Sequence, residues 1–247
     1  MRLGGIVDIS TKDIPGRSSM VLFTVGCNFK CEFCYNKYLL QPNVGREYEI
    51  KEIIDKIATN SLVSGVSITG GEPTLQKDLL DLCKQIQKID KYISIDTNGS
   101  NPDVIIKIVP FINRVAMDLK GPLIPGKLEK IAGVKVELDK ILETIKFLND
   151  QKQIDFEIRT TYIGKLLDAA DIDEIITFLN NVGFSGNFVL TQYQFLEGVG
   201  DEYKKIFSKP EHDILVKLIE LYKHKDLFFK IFLRDDVVGY CSINELK

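Results

Sequence analysis

The sequence predicts an α/β protein, a partial (β/α)6 TIM-like barrel with a C-terminal helix–strand extension. The first observation is a repeated alternation of short apolar, β-branched segments with amphipathic helical segments. The second is that the links between them are short, which favours βαβ units and a parallel sheet. The third is that six such units follow one another. Right-handed crossovers would curl them into an open partial barrel rather than a closed eight-fold one.

The predicted elements follow the chain in order. Residues 3–9 alternate weakly and are expected to form an edge strand or hairpin arm, before a turn over 13–17 marked by proline and glycine. The six barrel strands are predicted at 20–25, 66–69, 92–96, 114–118, 156–160 and 187–192. Helices are predicted at 49–59, 75–89, 102–109, 137–149 and 168–181. A helix over 212–224 and a strand over 227–233 form the extension.

Composition and length restrict the class of protein. The 247 residues suit one α/β domain and contain no dividing linker, so a single domain over 1–247 is predicted. Its core would span about 18–195 and its C-terminal cover about 196–247. The net charge of −3 predicts no nucleic-acid footprint, and no apolar run is long enough for a membrane span. Because the first residues lack the apolar core of a signal peptide, we expect a cytoplasmic protein whose thiols stay reduced.

Three of the five cysteines lie in one loop directly after the first predicted barrel strand. Cys27, Cys31 and Cys34 are spaced Cys-x3-Cys-x2-Cys. A disulfide framework calls for an even count and a secreted context, and a structural zinc site for four ligands, whereas no fourth Cys or His lies nearby. Three thiolates on one loop better suit a [4Fe–4S] cluster in which one iron is open to a ligand. Cys83 and Cys241 stand apart and are expected to be small buried hydrophobes.

The other polar motifs follow the ends of predicted strands, where the loops of parallel α/β folds converge on ligands. In Gly70-Gly71-Glu72 the glycines would let the backbone approach a ligand and Glu72 would pair with an ammonium group, the alternative being a plain turn. In Asp96-Thr97-Asn98-Gly99, Asp96 would contact a ribose or methionine, the alternative being a turn that binds its own backbone.

Three more strand ends carry candidate residues. Asp118-Leu119-Lys120 places an acid and a base on the same side of an extended segment, either at a ligand or as an exposed ion pair. The guanidinium of Arg159 would fork onto a carboxylate of a ligand or a protein substrate, or form a structural salt bridge. Gln192 ends the sixth strand and is a candidate for the same pocket. The two histidines, at 212 and 224, are expected to face solvent from the late helix.

The cysteine spacing, with Phe33 just before the last cysteine, resembles the signature of the radical SAM enzymes. In that family the open iron holds the amino and carboxylate groups of S-adenosylmethionine. The reduced cluster passes one electron to the sulfonium, and the released 5′-deoxyadenosyl radical abstracts a hydrogen atom. The resemblance implies that Phe33, Cys34 and Tyr35 border this cofactor.

Asp-Thr-Asn-Gly followed one unit later by Asp-Leu-Lys resembles a narrower group, the activating enzymes of glycyl radical enzymes. The resemblance covers roughly Gly5 to Tyr193. It implies cofactor contacts from Gly70, Gly71, Glu72, Asp96, Asn98, Asp118, Leu119, Lys120, Arg159 and Gln192. It also implies a monovalent cation held by Asp96, Thr97, Asp118 and the carbonyl of Ala116. The chain departs from the pyruvate formate-lyase activator, which carries a histidine near the end of the sixth strand.

The implied reaction is hydrogen abstraction from the Cα of a glycine in a partner protein, giving 5′-deoxyadenosine, methionine and a glycyl radical. The compact size and the opening segment resemble activators of anaerobic ribonucleoside-triphosphate reductase, with a flavodoxin- or ferredoxin-type electron donor. The open side of the barrel is followed by an acidic loop over 197–201, and the chain has no second basic cluster that would bind a phosphate. This favours a partner protein as the cover of the open side. The alternatives are a small-molecule radical SAM enzyme such as a 7-carboxy-7-deazaguanine synthase, and an iron–sulfur electron carrier.

Overall fold

The computed structural model describes residues 1–41, 43–195 and 205–246. The strands are β1 Arg2–Ile14, β2 Arg17–Thr24, β3 Arg46–Glu47, β4 Gly65–Gly70, β5 Tyr92–Thr97, β6 Arg114–Asp118, β7 Asp155–Tyr162, β8 Asn187–Gln192, β9 Lys230–Asp235 and β10 Gly239–Ser242. The helices are α1 Ile50–Thr59, α2 Leu79–Lys88, α3 Pro102–Ile108, α4 Lys127–Ala132, α5 Leu138–Asn149, α6 Ala169–Asn181 and α7 His212–Ile219. The acidic loop predicted at 197–201 lies outside the described residues.

In the part of the chain that the structure describes, the ten strands form one sheet, in the order β10-β9-β8-β7-β6-β5-β4-β2-β1-β3. The six predicted barrel strands are mutually parallel neighbours, which confirms the α/β fold class. The C-terminal strand β9 also pairs in parallel with β8, and β10 pairs with β9 in the antiparallel direction. The extension therefore continues the sheet by two strands. That the whole chain forms a single domain stays a prediction.

The two faces of the sheet differ in chemistry because side chains alternate along each strand. On β5, Ile93 and Ile95 are buried in the apolar cluster that includes helix residues, whereas Ser94 and Asp96 point to the other face. The strand registers carry this alternation across the sheet, so the second face is polar, with Arg114 and Asp118 of β6 and Arg159 of β7. The polar and charged side chains of these strands therefore collect on one face.

The sheet curls until its two sides touch. Arg234 of β9 donates from Nη2 to the carbonyl oxygen of Lys12 in β1, at 2.6 Å. These two strands lie near opposite ends of the strand order, so the contact requires a partial barrel. The hairpin arm thus contacts β9 on the side that the strand count predicted to be open.

Most predicted elements are confirmed, with shifted ends. The first strand extends over Arg2–Ile14 because it pairs with β2 along the hairpin. Helix α2 begins at Leu79 rather than at 75, because a 3-10 turn over Pro73–Leu75 precedes it. The short helix α4 was not predicted, since six residues between two left-handed glycines are too few to show a helical period. No helix in the described ranges is long and apolar enough to cross a membrane.

Candidate functional site

The loop after β2 carries the three clustered thiols at the carboxyl edge of the sheet. Cys31 is buried and Cys27 and Cys34 are half-buried. Within residues 1–41, 43–195 and 205–246, no three His, Cys, Asp or Glu side chains converge on a single metal ion. A [4Fe–4S] cluster binds each thiolate to a different iron, so its ligands need not converge on one point. The donor set therefore fits a cluster.

Burial raises the pKa of the Cys27 thiol to about 12 and that of Cys31 to about 11. The positive charge of Lys120 lowers the pKa of both thiols and so opposes the effect of burial. This interaction places Lys120 near the loop. In the absence of a metal these two thiols stay protonated at neutral pH. Because only a thiolate ligates iron, cluster binding must displace their protons.

The cysteine loop is held by main-chain and side-chain contacts along its length. Asn98, after β5, donates from Nδ2 to Oδ1 of Asn28 at 2.9 Å and lies 4.0 Å from Sγ of Cys27. At the end of the loop, the Tyr35 hydroxyl accepts a hydrogen bond from the backbone N–H of Gln194 at 2.8 Å. The Tyr35 ring stacks on Tyr193 with 5.4 Å between centroids. The loop is thus tied to the ends of both β5 and β8.

The two glycines after β4 pack against the start of this loop. Gly70 has φ +110, and a Cβ on Gly71 would lie 2.0 Å from the carbonyl oxygen of Gly26. Gly71 also donates its N–H to the Thr24 carbonyl at 2.8 Å. The close approach that glycine permits is therefore made by the neighbouring main chain, next to Cys27. Contact between these glycines and a ligand stays a prediction.

Glu72 is 1% exposed and its carboxylate accepts four hydrogen bonds. Oε1 accepts from the hydroxyl of Thr97 at 2.7 Å and from the N–H and hydroxyl of Thr74, and Oε2 accepts from the Asn98 N–H at 2.8 Å. Burial raises its pKa and these donors oppose the rise. Glu72 thus ties the ends of β4 and β5 together. The one donor on Oε2 leaves an acceptor position there, so an ammonium contact stays a prediction.

A charged network lines the carboxyl ends of β5, β6 and β7. Nη2 of Arg159 lies 3.1 Å from Oδ2 of Asp96, and Nε of Arg159 lies 2.8 Å from Oδ1 of Asp118. Lys120 donates to the other oxygen of Asp118 at 2.8 Å. Burial raises the pKa of Asp118, but the Arg159 and Lys120 charges outweigh it and hold this pKa below its usual range. Arg159 thus makes the salt bridge that was one of its two predicted roles.

The polar face keeps oxygen atoms without partners beside this network. Oδ1 of Asp96, Oγ1 of Thr191 and the Tyr193 hydroxyl are buried and have no hydrogen-bond partner among the described residues. Burial raises the pKa of Asp96 and the Arg159 charge opposes the rise. Buried polar atoms are normally paired, so these atoms fit a polar ligand. The two acids already balance Arg159 and Lys120, and a monovalent cation between them stays a prediction.

The structure places Gln192 differently from the other candidates. Its amide donates to the Pro210 carbonyl at 2.7 Å, and its Oε1 accepts from the Asp236 N–H at 3.2 Å. These bonds attach β8 to the start of α7 and to the β9–β10 turn and leave the amide engaged away from the charged network. A cofactor contact by Gln192 stays a prediction without geometric support.

The remaining predicted residues have mainly structural contacts. Phe33 and Leu119 are buried, and the Leu119 carbonyl accepts from the Thr160 hydroxyl at 2.8 Å. Cys83 is buried as predicted. Two expectations are wrong. Cys241 is only half-buried because it lies on the edge strand β10. His212 does not simply face solvent, because its Nδ1 lies 2.6 Å from Oδ2 of Asp235. His224 is exposed as expected.

Sequence reasoning missed the segment that packs on the outer side of the cysteine loop. The backbone N–H of Lys30 donates to the carbonyl of Ala132 at the end of α4, at 2.8 Å. Gly133 follows with φ +68. The sequence signal was a glycine at each end of the amphipathic hexad 127–132, Gly126 and Gly133, which marks a short capped helix.

Comparisons with known proteins agree with this arrangement. The family model described as the radical SAM superfamily matches residues 21–192. The chain is 31% identical over 222 residues to "Putative glycyl-radical enzyme activating enzyme MJ1227" of Methanocaldococcus jannaschii, covering 86% of this chain and 88% of that protein. It is 28% identical over 165 residues to a 7-carboxy-7-deazaguanine synthase of Thermoplasma acidophilum, covering 66% of this chain and 68% of that one.

A solved structure shares the fold. The crystal structure of Streptococcus suis SuiB bound to the precursor peptide SuiA superposes with a TM-score of 0.69 at 21% identity. The match covers 87% of this chain and 48% of SuiB, so this chain spans about half of that protein's length. At this identity the likeness concerns the fold alone.

Proposed function

Because this chain belongs to the radical SAM superfamily, whose members use a [4Fe–4S] cluster and S-adenosylmethionine, we propose that it is an activating enzyme of a glycyl radical enzyme. The cofactors supply a 5′-deoxyadenosyl radical that takes one hydrogen atom. The acceptor of the radical would be the Cα of a glycine in a partner protein. The remaining tasks of the chain are to bind, orient and shield the cofactors.

The observation that carries this proposal is the similarity to the Methanocaldococcus jannaschii protein. It extends over most of both chains rather than over the cysteine motif alone. The 7-carboxy-7-deazaguanine synthase matches a smaller share of each chain at lower identity. A small-molecule enzyme of that kind is the second candidate. An iron–sulfur electron carrier is not a candidate, since the chain is a radical SAM enzyme.

In this proposal Cys27, Cys31 and Cys34 would hold the cluster. Their loop is fixed at both ends, which would keep the open iron in one place above the polar face. Lys120 lies near these thiols and carries a charge complementary to a carboxylate. It would therefore face the methionine carboxylate, the negative group of the cofactor.

The charged network would orient the rest of the cofactor. Asp96 keeps one buried oxygen without a partner, an acceptor suited to a ribose hydroxyl. Arg159 holds Asp96 and Asp118 in place through its fork. The unpaired hydroxyls of Thr191 and Tyr193 lie at the β8 end of the same face, three strands away from β5. They would meet the partner's glycine segment, whose main chain offers donors and acceptors.

The test uses the reconstituted protein, dithionite, S-adenosylmethionine and a candidate partner, a reductase with a C-terminal glycyl-radical motif. We expect slow 5′-deoxyadenosine formation by the enzyme alone and much faster formation with the partner. The partner should acquire a glycyl doublet in its electron paramagnetic resonance spectrum, which is lost when its glycine is replaced by alanine. Conversion of 6-carboxytetrahydropterin to a deazapurine would establish the second candidate instead.

The physiological partner and electron donor are further proposals. An anaerobic ribonucleoside-triphosphate reductase is the proposed partner, and a flavodoxin- or ferredoxin-type protein is the proposed donor. Both follow from the activating-enzyme resemblance. Replacing dithionite by a reduced flavodoxin or ferredoxin in the same assay tests the donor separately from the partner.

A further inference from the structure

The end of α4 contacts the cysteine loop through its main chain. Lys30, which lies between Cys27 and Cys31, donates its backbone N–H to the Ala132 carbonyl at 2.8 Å. Ala132 is the last residue of α4, and its side chain is fully buried. The end of the Cys-x3-Cys spacer next to Cys31 is therefore held by a helix end, whereas Asn98 holds the spacer next to Cys27.

Gly133 lies too close to this spacer for any side chain. A Cβ at this position would be 2.5 Å from the carbonyl oxygen of Lys30 and 3.0 Å from its carbonyl carbon. Both atoms are main chain, so relief would require a movement of the cysteine loop or of α4. The φ of +68 also favours glycine. Two independent constraints, steric and conformational, thus coincide at Gly133.

Helix α4 is itself attached to the barrel. Lys127, its first residue, forms an ion pair with Asp171, whose side chain is 5% exposed at the start of α6. The buried side chain of Ile131 packs against Gly121, where a Cβ would lie 2.6 Å from its Cδ1 atom. Gly121 directly follows Lys120. The helix therefore contacts both the cysteine loop and the segment proposed to face S-adenosylmethionine.

We propose that α4 and Gly133 position the cluster loop through Lys30, fixing Cys31 relative to Lys120. This inference rests on the proposed function only in that the loop thiols hold a [4Fe–4S] cluster. A glycine partner protein is not required for it. Gly133 acts as a positioning residue, through the main chain of Lys30. Its loss should let the cluster escape more readily and weaken the response of the cluster to S-adenosylmethionine.

The test compares Gly133→Ala with Gly183→Ala in the reconstituted holoprotein. Gly183 follows α6 with φ +66, and a Cβ there would meet no atom within 4 Å. Both variants carry the same left-handed strain, but only Gly133→Ala presses on Lys30. We expect iron loss to a chelator to be about tenfold faster in Gly133→Ala than in Gly183→Ala, which corresponds to about 1.4 kcal/mol. The spectral change that S-adenosylmethionine causes in the reduced cluster should also shrink only in Gly133→Ala.

A second pair of variants avoids any change of glycine. Lys127→Met removes the ion pair that attaches α4, and Lys140→Met removes the exposed pair with Glu137 on α5. Faster iron loss is expected only for Lys127→Met, with the far-ultraviolet circular dichroism of both unchanged. This arm remains informative if Gly133→Ala does not fold.

The outcomes separate this inference from the proposed function. Equal iron loss within each pair of variants, with a stable cluster in the wild type, would overturn the positioning role and leave the proposed function intact. A wild-type protein that binds no cluster would overturn both. A stable cluster with the expected variant differences, but no glycyl radical on any partner, would retain the positioning role and remove the activating-enzyme function.

Discussion

Replacing Arg159 by methionine should destabilise the protein far more than removing a surface ion pair. The Arg159 guanidinium is the shared partner of Asp96 and Asp118, at 3.1 and 2.8 Å, and its side chain is only 11% exposed. Methionine keeps much of the volume and removes the charge. Two partly buried carboxylates, 12% and 30% exposed, would then face each other, with Lys120 beside Asp118 and the Arg114 charge near Asp96. Removing one partner of a fully buried ion pair costs about 3–5 kcal/mol, and we expect the lower end of that range here because Asp118 is partly exposed.

The sign of the pH dependence follows from the two aspartates. The pKa of Asp118 is lowered in the folded protein, so its contribution to stability is present above its ordinary pKa and is lost as the pH falls through the folded value. Without Arg159 the pKa of both carboxyls should rise, and they would take up protons as the pH falls. The difference in the free energy of unfolding between variant and wild type should then narrow by about 1.4 kcal/mol per pH unit for each carboxyl that titrates only in the variant, Asp118 above all.

The assay is urea unfolding of the metal-free protein, followed by circular dichroism at 25 °C and at two pH values, about 7.5 and about 5. The matched control is Lys140→Met, which removes an exposed ion pair with Glu137. It should lower the free energy of unfolding by about 0.2–1 kcal/mol at both pH values. Arg159→Lys should recover part of the loss, because one ammonium cannot fork onto both acids. A variant no less stable than the control, or a loss that does not change with pH, would refute this account of the network.

Three further outcomes follow from the site. Alanine at any of the three loop cysteines should abolish the charge-transfer absorption of the reconstituted protein, whereas Cys83→Ala and Cys241→Ala should keep it; a need for either of these two would contradict an open iron. Gly71→Val should reduce both cluster content and S-adenosylmethionine binding, since its Cβ would press on the Gly26 carbonyl at 2.0 Å; an intact cluster with weakened binding would instead place a ligand at this glycine. Gln192→Leu should lower the melting temperature by breaking buried main-chain hydrogen bonds, yet leave S-adenosylmethionine affinity unchanged in equilibrium dialysis.

By itself, the sequence determined the barrel strands and predicted the sheet edge at which the candidate site residues lie. Short apolar strand segments and amphipathic helices were visible because strand and helix periods differ, and polar motifs after each strand were placed at one edge by the parallel topology. The three cysteines were found because their spacing within one loop is local information. The same applies to Asp96, Asp118 and Lys120, which directly follow or end predicted strands.

Only the tertiary structure decided which partners these residues have. The sequence left Arg159 open between a ligand contact and a salt bridge. The neighbouring strands form the salt bridge by placing Asp96 and Asp118 on either side, and a ligand contact stays a prediction. Gln192 occupies a strand end like the others, but the docking of α7 and the β9–β10 turn engages its amide elsewhere. The contact of α4 with Lys30 joins residues about a hundred positions apart. Local propensity and periodicity carry no information on such pairs, because they depend on how separate segments pack.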